Sequence, residues 1–114
     1  MNTVLLKKEI NGVLVFSFDD VNRFNSVVSQ TVKEQLYQFL SQPNSKVVLD
    51  LEGVKVIDSS AFGALISVLK TSKDFESQFK LCKPSNEVKE LIMIMQLDSV
   101  FDVHDTLEEC ISSF

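Results

Sequence analysis

The stretch Val-Val-Leu-Asp-Leu-Glu-Gly-Val-Lys-Val-Ile-Asp-Ser-Ser-Ala-Phe-Gly, residues 47–63, decides the fold of this chain. Its apolar beginning is typical of a buried β-strand, which we predict over residues 46–51, and a Glu-Gly turn ends that strand. A second short apolar run leads into Asp58-Ser59-Ser60, three consecutive residues of the types that begin helices. The stretch therefore predicts a strand, a loop and a helix, with serine hydroxyls at the junction.

Strand and helix patterns alternate on both sides of this stretch. Apolar and β-branched runs predict strands, and apolar residues at helical spacing predict amphipathic helices. The predicted strands cover residues 3–7, 13–18, 46–51, 79–83 and 100–104, and the predicted helices begin near residues 25, 59, 85 and 105. Such alternation predicts an α/β fold with a single-layer, mostly parallel sheet, an antiparallel N-terminal strand and right-handed βα crossovers.

Two details of the helices can be predicted from caps and stripes. The helix after Ser59 has an apolar stripe through Phe62, Leu65, Ile66 and Leu69, and the helix after Ser85 has one that runs from Val88 to Met95. The last helix has Asp105 as its predicted N-cap.

A chain of 114 residues has room for one such domain, which we expect to span residues 1–114.

Composition excludes several classes of function. Acidic residues outnumber basic ones by 16 to 11, which gives a net charge of -5 and makes direct binding of nucleic acid unfavourable. The apolar stretches are shorter than the ~20 residues that span a bilayer, and the first residues lack the apolar core of a signal peptide. We therefore expect a cytoplasmic protein without a membrane span.

Catalytic and cofactor-binding patterns are absent from the sequence. His104 is the one histidine, no Gly-x-Ser-x-Gly elbow occurs, and the three glycines are too far apart for a phosphate-binding loop. We therefore expect no enzyme activity and no cofactor. An alternative of a different functional class is a small enzyme or ligand-binding domain that uses the acidic loop of residues 19–25 beside Ser59.

The two cysteines, Cys82 and Cys110, are 28 positions apart and belong to no metal or redox motif. We expect both thiols to be reduced and buried.

The residues alone leave the role of the Asp58-Ser59-Ser60 cluster open. A hydroxyl at the start of a helix meets unpaired N–H groups and the positive end of the helix dipole. Capping explains this placement without any modification, and a phosphorylation site is the alternative.

Residues 47–63 resemble the signature of the STAS family of anti-sigma factor antagonists, in which a hydrophobic strand and a short link precede Asp-Ser-Ser-Gly-Leu-Gly. Residues 85–91 and the run Leu97-Asp98-Ser99-Val100-Phe101 look like the family's later helix and the turn that follows it. Asn22-Arg23-Phe24-Asn25 is similar to the family's Gly-Arg-Leu-Asp motif, with asparagine in place of both the glycine and the aspartate. The resemblance covers nearly the whole chain.

The resemblance implies a switched interaction. Ser59, in preference to Ser60, is expected to be phosphorylated by a serine kinase that is also an anti-sigma factor, and a PP2C-like phosphatase is expected to reverse this. The unmodified protein would bind the anti-sigma factor and free the sigma factor. The implied partner surface consists of Asn22, Arg23, Asn25, Asp58, Ser59, Ser60, Ala61 and Phe62.

Two points stay open at this stage. The same fold could serve as a stand-alone docking subunit of a transporter or of a stress-sensing complex without any phosphorylation, and the sequence does not give the oligomeric state. Ala61 and Phe62 stand where the family usually has glycine and leucine, so the surface beside the serine would carry an extra methyl group and an aromatic ring. For Phe62 we favour core packing with the rest of its helix stripe over this surface role, and Ala61 is alternatively explained as a better helix former than glycine. Gly63, inside the helical pattern, is expected to reflect close backbone packing, with approach of a partner as the alternative.

Overall fold

The computed structural model describes residues 4–114, which form a five-stranded sheet, a separate two-stranded sheet and four helices. The strands are β1 (Leu5–Ile10), β2 (Val13–Phe18), β3 (Arg23–Phe24), β4 (Lys46–Asp50), β5 (Val56–Ile57), β6 (Gln78–Cys82) and β7 (Val103–His104). The helices are α1 (Ser26–Leu40), α2 (Ser59–Asp74), α3 (Asn86–Ile94) and α4 (Leu107–Ser112).

The large sheet has the strand order β1-β2-β4-β6-β7. β1 and β2 form an antiparallel hairpin, whereas β2, β4, β6 and β7 are parallel neighbours. The predicted α/β fold with a mostly parallel sheet and an antiparallel N-terminal strand is confirmed. Asn11 and Gly12 both have positive φ in the hairpin turn, as a two-residue turn between twisted strands requires. Thr3, where we predicted the first strand to begin, lies outside the described residues.

Both faces of the sheet are covered. Val47 and Leu49 of β4 point into the main core beneath α1, α2 and α3, while Val48 between them points into a smaller core beneath α4. All three side chains have 0% exposure. Burial on both faces explains why the strand has an almost continuous apolar sequence instead of an alternating one.

The C-terminal part differs from the prediction in two places. The last strand is two residues long instead of the predicted 100–104, because the amides of Val100 and Phe101 donate to the carbonyl of Leu97 in a turn. α4 is capped by Thr106, whose hydroxyl accepts from the amide of Glu109 at 3.1 Å, and not by Asp105. The carboxylate of Asp105 instead forms an ion pair with Lys89 at 2.7 Å.

Two residues that we predicted on the buried apolar faces of helices are exposed instead. Ile66 and Met95 are 43% and 44% exposed. The buried face of α2 runs through Ala61, Leu65 and Val68, which turns Ile66 away from the core. Met95 is the C-cap of α3 and lies beyond the helical repeat.

β3 and β5 form the second sheet, a parallel pair in which Arg23 aligns with Val56 and Phe24 aligns with Ile57. Phe24 and Ile57 are 0% and 5% exposed and point into the main core. Arg23 and Val56 point outward and are exposed. We did not predict this pair, which forms the base of the site described below.

Candidate functional site

The N-termini of α1 and α2 lie side by side because β3 and β5 are paired in parallel. Each two-residue strand is followed directly by the N-cap of a helix, Asn25 for α1 and Asp58 for α2. The amide of Asp58 donates to the carbonyl of Phe24 at 3.3 Å, which extends the pairing to the caps themselves. Two helix N-termini, each with unpaired N–H groups and a partial positive charge, therefore open onto one surface.

Asp58 is the most highly connected side chain of this surface. Its Oδ1 accepts a hydrogen bond from the hydroxyl of Ser60 at 2.6 Å and one from the amide of Ala61 at 3.0 Å. These two hydrogen bonds lower the pKa of the Asp58 carboxyl, and the backbone N–H groups of Ser26 and Ser60 lower it further. Because Ser26 is the first residue of α1, the carboxylate interacts with the first turns of both helices.

Asn25 caps α1 in the corresponding way. Its Oδ1 accepts from the amide of Val27 at 3.0 Å, and its carbonyl accepts from the amides of Val28 and Ser29. The side chain of Val27 is left 82% exposed, although valine gains free energy from burial. Val27 and the 46% exposed Val56 therefore provide apolar surface near the two helix N-termini.

The two serines that follow Asp58 are in different situations. Both are exposed, but the hydroxyl of Ser60 is held by the Asp58 carboxylate at 2.6 Å. The Ser59 side chain forms no hydrogen bond within residues 4–114, so its hydroxyl is free to interact with another molecule. Ser59 is also the first residue of α2, at the positive end of the helix dipole.

The predicted interface residues divide into exposed and buried groups. Asn22, Arg23, Ser59 and Ser60 are exposed, and Asn25 and Asp58 are half-buried. Ala61 and Phe62 are 0% and 3% exposed and belong to the main core. The favoured assignment of Phe62 to the core is therefore confirmed. The expectation that Ala61 and Phe62 alter the surface beside the serine is wrong, and we leave both out of the interface.

The loop before β3 is held in place by its backbone. The carbonyl of Asn22 accepts hydrogen bonds from the amides of Lys55 and Val56 at 2.8 and 3.3 Å. These bonds hold Arg23 next to the strand that leads to Ser59.

The predicted interface did not include Ser26, Val27 or Val56, although Ser26 was an alternative N-cap of the first helix. A signal for their contribution exists, because residues 23–26 read Arg-Phe-Asn-Ser and residues 56–59 read Val-Ile-Asp-Ser. In both segments an apolar residue precedes a capping residue and a serine, which is the pattern of a short strand that enters a helix.

Gly63 does not pack closely against the rest of the chain. It is exposed, and a Cβ added to it would meet no atom within 4 Å. Close backbone packing, which we expected, is therefore the wrong explanation for this glycine.

Residues 4–114 contain no group of three side chains suited to hold a metal ion. The acidic loop proposed for an alternative ligand site lines a shallow groove together with Glu52 and Gly53, and Ser59 is not part of that groove. None of the helices in this part of the chain is long and apolar enough to cross a membrane.

Comparison with known proteins identifies a family. A family model described as the STAS domain matches residues 5–110. A Thermotoga neapolitana protein, named as a candidate anti-sigma factor antagonist and TM1081 homolog, is 30% identical over 74 residues. The aligned part is 65% of this chain and 66% of that relative, a little under two thirds of its length.

Solved structures share the fold. An anti-sigma-factor antagonist (STAS) domain protein from Planctomyces limnophilus has a TM-score of 0.86 at 23% identity, over 96% of both chains. The Bacillus cell fate determinant SpoIIAA in its phosphorylated form has a TM-score of 0.68 at 12% identity, over 96% of this chain and 97% of that one. The murine anion transporter Slc26a9 has a TM-score of 0.72 at 18% identity, over 91% of this chain and 18% of the transporter.

Replacing Asp58 by asparagine tests the role of its charge. We expect Asp58→Asn to be less stable than the wild type at pH 7, because the carboxylate accepts two hydrogen bonds in the first turn of α2 and is further stabilised by the backbone N–H of Ser26 at the start of α1. Since its pKa is lower in the folded protein, this stabilisation is present above the unfolded-state pKa and is lost as the pH falls through the folded-state pKa. Urea denaturation at pH 7 and at about pH 3 measures the difference. The exposed turn residue Asp98, changed to asparagine, is the control, and an Asp58→Asn effect that is equal at both pH values would contradict this role.

Replacing Gly63 by alanine tests whether the glycine has a structural role. The added methyl group meets open space, and alanine is the better helix former, so we expect Gly63→Ala to raise the free energy of unfolding by about 0.5 to 1 kcal/mol. Urea denaturation measures this change. A loss of stability would show that the position is crowded after all.

Proposed function

Because the chain belongs to the STAS domain family, we propose that it is an anti-sigma factor antagonist whose binding is switched by phosphorylation of Ser59. The observation that carries this proposal is the exposed Ser59 hydroxyl, which is not engaged by any side chain or backbone group of residues 4–114. The neighbouring Ser60 hydroxyl, by contrast, is held by Asp58 at 2.6 Å, which favours Ser59 as the acceptor of the phosphoryl group.

The surface around Ser59 suits a protein partner. Val27 and Val56 expose apolar side chains, Arg23 adds a positive charge, and the serine adds a small neutral hydroxyl. Apolar surface bordered by polar groups is typical of interaction sites. We infer that the unmodified protein binds an anti-sigma factor that is also a serine kinase, and that this binding frees the sigma factor.

Phosphorylation changes the charge of this surface more than its shape. A phosphate adds about -1.5 to -2 charges at neutral pH. Within the fold, the N-termini of α1 and α2 favour an anion, each by about 0.3 to 1 kcal/mol at an exposed site. A surface of the partner that fits a neutral hydroxyl must instead desolvate or repel the phosphate, and a cost of about 3 kcal/mol weakens binding more than a hundredfold. The domain stays folded while the complex dissociates.

A PP2C-like phosphatase would restore the binding form, and the cycle would take place in the cytoplasm. In this proposal the chain is a binding module and not an enzyme, since it supplies the hydroxyl and the kinase supplies the chemistry. One similar structure, SpoIIAA, was solved in a phosphorylated form, which supports the proposal that this fold accommodates the modification.

Incubation with ATP and the cognate serine kinase tests the switch. We expect one phosphate per chain, located at Ser59 by peptide mass spectrometry, and no phosphate on Ser59→Ala. Ser60→Ala is the matched control and is expected to be phosphorylated. Modified protein is expected to bind the partner at least a hundredfold more weakly, as measured by calorimetry. Phosphate on Ser60 alone, or unchanged affinity after modification, would overturn the switch.

A second candidate function is a docking subunit that is not phosphorylated, and the similarity to part of an anion transporter favours it. Its surface would be in constant contact with one partner. A pull-down from native extract separates the two functions. We expect the unmodified protein to recover a serine kinase, and we expect this kinase to dissociate when Ser59 is phosphorylated. Recovery of transporter subunits instead would favour the second candidate.

A further inference from the structure

The fold brings the two cysteines into the same small core. Cys82 is the last residue of β6, Cys110 lies in α4 directly above that strand, and both side chains have 0% exposure. The thiol of Cys110 donates a hydrogen bond to the carbonyl oxygen of Leu81, the residue before Cys82, at 3.8 Å. Two sulfur atoms therefore lie in one small core, although 28 positions separate the two cysteines in the sequence.

The surroundings of the two sulfur atoms are apolar. Val13, Val15 and Val48 of the sheet and Leu107 of α4 enclose them in the smaller core. Within residues 4–114 these are the two cysteines, and neither is bonded to another sulfur in this state. A disulfide forms when rotation of the side chains and a shift of α4 bring the two sulfur atoms to bonding distance.

We propose that Cys82 and Cys110 form a reversible intramolecular disulfide when a peroxide is present, and that this bond ties α4 to β6. The inference is independent of Ser59, which lies on the helices of the opposite face of the sheet. It concerns a modification site that sequence spacing alone does not reveal.

The two sulfur atoms have different roles in the reaction. Interaction with the Cys82 side chain and the nearby charge of Lys80 lower the pKa of Cys110, while the same interaction, burial and Asp50 raise the pKa of Cys82. Once deprotonated, the Cys110 sulfur attacks the peroxide, breaks its O–O bond and becomes a sulfenic acid, and the proton that the thiol lost leaves with the second oxygen as one molecule of water. The sulfur of Cys82 then attacks the Cys110 sulfur, loses its proton, and releases a second water. Two thiols and one hydrogen peroxide thus give one disulfide and two waters.

Access to the pair depends on α4, which is six residues long and covers the sulfur atoms from outside. The end of this helix is held by Lys80, whose Nζ donates to the carbonyl and the hydroxyl of Ser113 at 2.9 and 2.7 Å. The same ammonium group lies 4.5 Å from the ring centroid of Phe114. A peroxide reaches the thiols only when these contacts open, so oxidation is slower than that of an exposed thiol and depends on the opening of the helix.

The disulfide would close a loop that contains α3 and β7. Closing a loop of this length restricts the unfolded chain and raises the melting temperature of a domain of this size by about 10 °C. The oxidised protein is therefore more resistant to heat, and α4 no longer opens.

Oxidation of the folded wild-type protein by hydrogen peroxide, followed by alkylation of free thiols in denaturant, tests the proposal. We expect a mass lower by about 2 Da with no alkylation, a peptide map that joins Cys82 to Cys110, and reversal by dithiothreitol. Calorimetry is expected to show the rise in melting temperature before reduction and its loss afterwards. The single variants Cys82→Ala and Cys110→Ala are the matched controls, and neither is expected to gain melting temperature on oxidation.

Three results would overturn the proposal. They are two alkylated thiols after exposure to peroxide, a mass increase that shows sulfinic or sulfonic acid in place of a disulfide, and a disulfide that joins two chains. If a single variant does not fold, the mass and peptide map of the wild type still decide the outcome.

Discussion

The parallel pairing of β3 with β5 is the constraint on which the site depends. Each strand has two residues, and the register places Phe24 beside Ile57, so the caps that follow, Asn25 and Asp58, are also adjacent. Burial of Phe24 and Ile57 in the main core anchors the pair, because burying a large apolar side chain contributes about 1.5 to 3 kcal/mol. Two helices therefore begin at the same surface, and the capping carboxylate of Asp58 interacts with both of them.

This arrangement separates the residues that hold the fold from those that can meet a partner. Alternate residues of β3 and β5 point inward and outward, and the same division continues into α2, where Ser59 is exposed and Ala61 is buried. A change of charge at Ser59 is thus made on a surface that already favours an anion, outside the packed interior. The switch that we propose needs a partner that discriminates between the two charge states, and it needs no rearrangement of the sheet.

Much of the fold could be predicted from the sequence, because long apolar runs and helical spacing are strong signals. The pattern of residues 47–63 correctly predicted the central strand β4 and the start of α2. Two-residue strands such as β3 and β5 have no period of their own, so the relation between Asn25 and Asp58 appeared only in three dimensions. The burial of Cys82 and Cys110 in one small core likewise depends on where α4 returns to the sheet. Ala61 and Phe62 were misplaced because the family motif marks their position in sequence and not the direction in which their side chains point.

The most direct test of this account is an NMR comparison of backbone amide signals before and after Ser59 is phosphorylated. If the phosphate lies at two converging helix N-termini, the largest shifts will occur in the first turns of both α1 and α2, including Ser26 and Val27, while the amides of β4 and β6 stay nearly unchanged. Shifts that are absent from α1, or that spread through the central strands, would contradict the claim that the paired helix N-termini accommodate the charge.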